Sequence, residues 1–593
     1  MRNTPGLPQG QRISGVDVDS PTEHSILVAP HGGVLSSPLV SADEARRIRE
    51  QSLQWPSIDL TLRQTCDLDL LLNGAFSPLK GFLTRKDYES VLTGVRLADG
   101  TVWPMPITLN VPKALASTLE AGKPLGLRDA EGSLLAVLDI EDIWQADWRR
   151  EGQQVFGTTD PVHPGVQALQ AMGDDILVGG TLRGIAFPRQ YDFRGLRLTP
   201  AELRADLERE GWGRVVAFQT RNPMHRAHKE LTERAAREAG AHLLLHPTVG
   251  MTKPGDVDHF TRVRCYQAIA SEYPAGLMKL SLLNLAMRMG GPREALWHAI
   301  VRKNHGASHF IVGRDHAGPG KDSQGKPFYG PYAAQDLVRE FEREVGVTMV
   351  PFHELVYVPG KNHYFPSNEV PAGEKSQTLS GTELRQRLRD GREIPEWFTY
   401  PSVVDELRRA YPPKARQGVT VLLTGLSGAG KSTIANILLV KLLEDGARPV
   451  SLLDGDLVRK TLSAGLGFSK ADRDTNILRI GLVAAEITKH RGIAICAPIA
   501  PYAGARRQMR EWVSAYGGFV EIHVATPIDV CEQRDRKGLY AKARAGQLPH
   551  FTGIDDPYEV PANPELRLDT VQNSAEECAQ QILDYLRREG FLS

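Results

Sequence analysis

Two stretches of this sequence carry residue types that handle phosphate. The first, Gln219-Thr220-Arg221-Asn222-Pro223-Met224-His225-Arg226-Ala227-His228, puts an amide, a guanidinium and two imidazoles within one short segment. A helix starting there would turn free N–H groups and its positive dipole end toward an anion. Arg221 offers a planar fork of donors, and imidazolium can stabilise charge developing on phosphate oxygens. Two histidines three apart can equally be metal ligands or core residues, and spacing alone leaves this open. The second stretch is Gly425-Leu426-Ser427-Gly428-Ala429-Gly430-Lys431-Ser432-Thr433. Its G-x-x-x-x-G-K-S spacing lets backbone N–H groups cradle phosphates, with Lys431 reaching the β- and γ-phosphates and Ser432 placed for Mg2+ arriving as Mg-ATP. A nucleotidyl-transfer loop and a phosphoryl-transfer loop in one chain imply two consecutive ATP-dependent reactions.

Each loop needs a strand to deliver it and a helix to follow it. Residues 211–218 form an apolar strand candidate running into Gln219, and 227–239 has helical spacing. Further strand candidates at 243–247, 310–312 and 347–352 alternate with helices. That alternation predicts a parallel α/β sheet with ligands at the carboxyl ends of its strands. Gly313-Arg314-Asp315-His316-Ala317-Gly318-Pro319-Gly320 follows one such strand, and paired with the Gln219 loop it forms a second wall of a nucleotide pocket. The apolar run 419–423 precedes the Gly425 loop, and 433–443 reads as the helix after it. The next strand ends in Asp454-Gly455-Asp456, two carboxylates placed for Mg2+ or for taking a hydroxyl proton. No NKxD segment follows, which argues against a GTPase.

The expected organisation is a flexible N-terminus over 1–25 and a mostly β domain over 26–195, with 102–111 as a representative strand stretch. An α/β domain then covers 196–395, with a small helical cap from about 335. A linker over 396–417 leads to a P-loop domain over 418–593. Length alone argues for several cores: 593 residues exceed what one supports. Apolar residues make up 41% and charged residues 24%, enough to fill such cores. Lys+Arg and Asp+Glu are both 71, so no bulk attraction to nucleic acid or membrane is expected and positive charge must be local. The five cysteines are scattered without a CxxC pair, which fits a reducing compartment rather than a disulfide or zinc framework. The N-terminus lacks a signal-peptide core, and no apolar run is long enough to span a bilayer. The expectation is a cytoplasmic protein without nucleic-acid or membrane partners.

The block QTRNPMHRAH, with MGGPREALWHAI and GRDHAGPG after it, resembles the ATP sulfurylase (sulfate adenylyltransferase) family. So do Leu72-Asn73-Gly74-Ala75-Phe76-Ser77-Pro78-Leu79 and Leu379-Ser380-Gly381-Thr382-Glu383-Leu384-Arg385. The resemblance implies a PUA-like domain followed by a nucleotidyltransferase fold related to the HxGH class. It implies that sulfate attacks the α-phosphorus of ATP, giving adenosine 5′-phosphosulfate (APS) and pyrophosphate. Gln219, Arg221 and the backbone at Ala317 would hold sulfate, and Thr220, Arg221 and Asn222 would act at the α-phosphate. His225 and His228 would neutralise the phosphates, and Gly313, Arg314, Asp315 and His316 would embrace the nucleotide, with Arg314 among the catalytic residues. No dedicated metal cage is implied.

Residues 418–590 resemble APS kinase, in which the 3′-hydroxyl of APS attacks the γ-phosphate of ATP to give 3′-phospho-APS (PAPS). The P-loop residues Gly425 to Thr433 would bind ATP, with Lys431, Asp454 and Asp456 in catalysis. Phe468 and Phe551 match aromatics that sandwich the adenine of APS, a flat π-face. Arg459, Arg473 and Asn476 match APS-binding residues, and Lys537 and Lys542 lie in the family's lid. One departure stands out: Ile499-Ala500-Pro501-Tyr502 lacks the serine of the family's I-S-P-Y stretch, so no serine-phosphate intermediate can form there. The resemblance implies ATP, sulfate and APS as partners and a homo-oligomer. In an alternative reading the C-terminal domain binds APS or PAPS allosterically without catalysing, as in fungal sulfurylases whose P-loop is degraded; here the loop is intact.

Overall fold

The computed structural model describes residues 25–253, 255–535 and 537–592. The expected flexible N-terminus, apart from Ser25, lies outside them. The chain divides into two compact units, Met1–Thr378 with Pro395–Glu406 and Leu379–Ile394 with Leu407–Ser593.

The first unit opens with a mixed six-stranded sheet. Its path runs Ser57–Asp59, Pro124–Arg128, Leu134–Gln145, Ile176–Gly184, Gly81–Phe82, with Leu109–Val111 also pairing Ile176–Gly184. The 102–111 stretch is far less strand-like than its composition suggests. Only Leu109–Val111 enters the sheet, because Pro104 and Pro106 have no N–H to give to a ladder. The helix Leu62–Leu72 starts at a reciprocal Thr61–Gln64 cap and is buried almost throughout. Phe76, from the turn after it, packs between Trp103 and Trp297, with ring centroids 5.9 Å and 5.2 Å away. Asn304 donates its side-chain amide to the carbonyls of Ala75 and Ser77, so that turn is tied to the next domain.

That domain is a five-stranded, wholly parallel sheet ordered Thr348–Pro351, His309–Val312, Val215–Phe218, His242–Leu245, Met278–Leu280. The chain enters at the centre, builds outward on one side, then returns to build the other. Strands Val215–Phe218 and His309–Val312 therefore flank the point where the winding reverses, where a crevice opens at the carboxyl ends. Gln219 and Gly313 are the residues immediately beyond those two ends. The helical cap expected from about 335 is helical only in part. Helix Ala333–Val345 leads into an edge strand of the same sheet, and an antiparallel hairpin follows at Leu355–Val358 and His363–Pro366. Helices resume only at Gly381–Asp390 and Pro401–Ala410, the second within the span expected as a linker.

The second unit carries a five-stranded parallel sheet ordered Val450–Asp454, Ile493–Ala497, Val419–Thr424, Gly518–Val524, Leu566–Leu568. Val419–Thr424 is buried at every position, as its apolar run requires. Its carboxyl end delivers the Gly425 loop, and helix Lys431–Asp445 follows with Gly430 as N-cap at φ +103°. Glycine is needed at that φ, and a Cβ on Gly425 would stand 2.6 Å from the Val524 carbonyl oxygen.

Candidate active sites

In the first site the Gln219 loop is held by its own side chains. Thr220 Oγ1 accepts the Asn222 N–H at 3.1 Å, and the Tyr266 hydroxyl donates to the Asn222 carbonyl at 2.9 Å. Gln219 lies 3.5 Å from Thr248 Oγ1 and 3.7 Å from Met287 Sδ, so its amide reaches the block beginning at Met287. Arg221 is engaged by Asp256, one guanidinium nitrogen lying 2.5 Å and 2.6 Å from the two carboxylate oxygens.

His225 caps the helix Arg226–Ala239, where its backbone N–H donates to His228 Nδ1 at 3.2 Å. That bond leaves His228 with its proton on Nε2. Burial pushes His225 down to about 3 and His228 to about 4, so both imidazoles are neutral near pH 7. Their expected neutralising role is corrected accordingly: without a bound anion they carry no charge, and they can serve phosphate as N–H donors.

The facing wall is the Gly313 loop. Asp315 and Ala317 both adopt left-handed backbone, φ +52° and +53°, and the Asp315 N–H is anchored on the Pro331 carbonyl at 2.8 Å. Ala317 accepts the Gly291 N–H at 3.3 Å, which joins this loop to the helix Gly291–Asn304. His316 is buried and Asp315 exposed, and partial desolvation raises the Asp315 pKa. Arg314 departs from expectation: its guanidinium pairs with Glu354 at 2.9 Å, and both side chains are more than half exposed. The Glu354 carboxylate holds this long, flexible side chain at the surface.

In the second site Lys431 is buried and donates to the carbonyls of Gly425 and Leu426 at 2.9 and 2.7 Å, folded back onto its own loop. Burial pushes it down to about 8. The loop is braced from outside itself, because Tyr540 donates to the Ser427 carbonyl and Thr526 to that of Ala429. Ser432 donates to Asp454 Oδ2 at 2.8 Å, while Asp454 Oδ1 accepts the Asp456 N–H and caps the helix Gly455–Lys460. Asp456 is exposed and paired with Lys537. Thr433 lies in the first turn of the P-loop helix, and Lys542 is exposed on helix Leu539–Arg544.

The aromatic pair is asymmetric. Phe468 is 52% exposed, with Arg459 4.4 Å and Arg473 5.7 Å from its ring centroid. Phe551 is 8% exposed and packs into the core edge-on against Tyr540 at 4.9 Å. The expected sandwich is therefore half open surface and half core. Arg473 donates to the carbonyls of Phe468 and His550 and to Thr552, and Asn476 is buried with Oδ1 unpartnered.

Asp256, Tyr266, Thr526 and Tyr540 were invisible in the sequence because nothing in their local pattern marks them. Glu294 and His298, one helical turn apart in MGGPREALWHAI, did carry a signal: two ionisable residues on one face of a buried helix. Among the described residues no cluster of three or more His, Cys, Asp or Glu is placed to hold a metal, and no helix is long and apolar enough to cross a membrane.

Comparison with known proteins agrees with this layout. Family models match for a PUA-like domain at 28–186, ATP-sulfurylase at 194–410 and adenylylsulphate kinase at 417–569. A sulfate adenylyltransferase of Phaeosphaeria nodorum is 53% identical, the match spanning 95% of this chain and 99% of the relative. The chain belongs to the sulfate adenylyltransferase family. One from Aspergillus oryzae is 52% identical, again over 95% and 99%. A solved structure titled hexameric APS kinase from Thiobacillus denitrificans superposes with a TM-score of 0.79 at 40% identity, covering 96% of this chain and all of that one. The sulfate adenylyltransferase architecture is thus a PUA-like domain, a nucleotidyltransferase domain and a P-loop APS kinase domain in that order.

Proposed function

We propose that this sulfate adenylyltransferase performs both steps of sulfate activation, making APS at the first site and PAPS at the second. The observation that carries the reading is the intact P-loop, with Lys431 in place and Ser432 bonded to Asp454. A domain that senses only APS or PAPS has no γ-phosphate for such a loop to hold.

In the first step a sulfate oxygen forms a bond to the α-phosphorus as the bond from that phosphorus to the bridging oxygen breaks, and pyrophosphate leaves. No proton moves and no enzyme intermediate forms, so the protein contributes position and charge. Gln219, Arg221 and the Ala317 backbone hold sulfate, Thr220 and Asn222 shape the loop at the α-phosphate, and the imidazoles of His225 and His228 donate toward the phosphates.

In the second step the 3′-hydroxyl of APS attacks the γ-phosphorus and ADP leaves, with Lys431 holding the phosphates. The hydroxyl proton goes to a carboxylate. Asp454 is committed to Ser432 and to the helix cap, so Asp456 is the available base once Lys537 swings to substrate. The oxygen pair of Ser432 and Asp454 suits a hard cation. Mg2+ entering with ATP, held by Ser432, would offset charge on the β- and γ-phosphate oxygens. Phe468, Arg459, Arg473 and Asn476 receive APS. APS is a high-energy anhydride, and its consumption at the second site draws the uphill first step forward. A homo-oligomer fits this reading, because the solved relative is titled hexameric.

The relatives from Phaeosphaeria nodorum and Aspergillus oryzae are named for the first activity alone, which favours a second reading in which the C-terminal domain only senses APS or PAPS. Incubation of the full chain with labelled sulfate, Mg-ATP and pyrophosphatase separates the two. Label in PAPS is expected; label stopping at APS assigns the C-terminal domain to sensing.

A further inference from the structure

Glu294, His298 and His316 form a buried row behind the nucleotide wall. Glu294 is fully buried on the helix Gly291–Asn304, where one carboxylate oxygen accepts the Arg288 N–H at 3.0 Å and the other the Gly290 N–H at 2.7 Å. Burial alone would raise its pKa, but His298 and those two amides hold it below the usual range, so it is ionised. His298, equally buried, places Nε2 3.3 Å from Glu294 Oε1, close enough for electrostatic attraction though not aligned as a hydrogen bond. A bare nitrogen lone pair facing a carboxylate at that distance would be repelled, so Nε2 carries the proton. Burial holds His298 below its ordinary pKa, so it has a single proton and Nδ1 is bare.

That bare Nδ1 lies 3.0 Å from His316 Nε2 and must accept a proton from it. The His316 ring stands edge-on to His298 and to Phe310, with centroids 5.3 Å and 5.6 Å away, and turning it over would put a carbon in place of the nitrogen that faces His298 Nδ1. Burial keeps His316 neutral as well. With its one proton on Nε2, its other nitrogen is a lone pair. The same carboxylate holds the 288–290 backbone, and Gly291 is bonded to Ala317, so one helix start organises both the ring chemistry and the loop position.

We propose that Glu294 and His298 are positioning residues that fix His316 as its Nε2–H tautomer, so that the Gly313 loop offers a hydrogen-bond acceptor, His316 Nδ1, to a donor on the nucleotide. The donors of ATP are its exocyclic amine and its ribose hydroxyls. The inference rests on reading this loop as the nucleotide wall of the sulfurylase site.

The tautomer is measurable in the unaltered protein. In full chain labelled with 15N-histidine, the His316 signals are those lost in His316→Gln. Nδ1 is expected at the shift of an unprotonated nitrogen and Nε2 at that of a protonated one; the reverse pattern overturns the proposal. Kinetics supply the second arm. In His298→Asn the side-chain oxygen stands near the former Nδ1 and still accepts from His316, whereas His298→Leu cannot. His298→Leu should raise the KM for ATP in APS formation roughly tenfold, the loss of one hydrogen bond, with the KM for sulfate and the kinase reaction unchanged. His298→Asn should restore ATP binding to within about threefold. Equal losses in both variants would mean packing alone and overturn it. Failure of the unaltered protein to make APS would instead sink the reading of the first site, while the nitrogen shifts would still decide the tautomer.

Discussion

Asp256 holds Arg221 through a single guanidinium nitrogen, 2.5 Å from one carboxylate oxygen and 2.6 Å from the other. Both side chains are more than four-fifths buried, so the charge-assisted bond orients the guanidinium while its remaining N–H groups stay available to an oxyanion. Asp256 is itself steadied by the Lys253 N–H at 3.1 Å. The pair holds the fork that we propose for sulfate in a fixed orientation.

Asp256→Ala should therefore act on sulfate more than on ATP. The expected outcome is a KM for sulfate raised about tenfold, with a stability loss of about 1–3 kcal/mol from the unpaired guanidinium. Steady-state APS formation with sulfate and ATP varied separately checks this. An unchanged sulfate KM would show that Arg221 needs no partner.

Lys431→Ala should abolish PAPS formation and leave APS formation intact; loss of both in folded protein would contradict independent sites. Lys431 also predicts a pH signature. Burial lowers it to about 8 in the free loop, whereas phosphates restore the charged form, so ATP binding takes up a proton above that pH. The kinase KM for ATP should rise by up to about tenfold per pH unit above 8, while the sulfurylase KM stays flat.

Phe468 and Phe551 should separate on substitution. Phe468→Ala removes an exposed ring carrying two guanidinium groups, so it should raise the KM for APS with little change in stability. Phe551→Ala removes a buried ring from the core and should cost about 3–5 kcal/mol. Kinase assays with APS varied, alongside urea melts of both variants, check the contrast.

These residues also mark where the sequence is informative. The strands Val215–Phe218 and Val419–Thr424 are apolar runs ending at glycine or amide loops, and local pattern suffices to place them. The proline-broken 102–111 stretch mimics a strand in composition, yet its missing N–H groups forbid one over most of its length. Asp256 becomes functional only through a contact made by the folded sheet, and no local spacing encodes it, whereas the one-turn spacing of Glu294 and His298 shows a shared helix face but not the His316 they meet. Arg314 is the converse case: its motif is plain, but its side chain is claimed by Glu354.

Acid should weaken the first unit through its buried histidines. His305 is pushed down to about 3 by burial, well below the unfolded value, so the unfolded chain binds a proton that the folded one refuses. Its contribution is fully present above pH 6.5 and falls by about 1.4 kcal/mol per pH unit as pH drops toward 3. His305→Asn keeps a polar side chain beside the Val301 carbonyl, which His305 Nδ1 contacts at 2.8 Å, and should flatten that slope by this amount. Trp512 alone among the tryptophans lies outside the first unit, so fluorescence-monitored urea unfolding at pH 7, 6 and 5 reports on it.

Ala500 stands where the kinase family's serine would be, and its contacts are made by its backbone, so the missing hydroxyl is expected to cost the proposed kinase little. It is buried at φ +48°, and its carbonyl accepts from Arg506 at 2.7 Å and from Thr424 at 3.2 Å. The position thus works through its main chain, which braces the carboxyl end of the P-loop strand and the helix Ala503–Ser514. A left-handed alanine costs about 1 kcal/mol that glycine does not, so Ala500→Gly should stabilise the second unit by about that much and leave PAPS formation unchanged. Ala500→Ser should make PAPS within about threefold of the unaltered rate, because the 3′-hydroxyl attacks the γ-phosphorus directly. Incubation of Ala500→Ser with γ-labelled ATP, followed by denaturation, should leave no label on the protein. Label that appears on the chain and then passes to APS would mean that a covalent route is open to this fold and was lost with the serine.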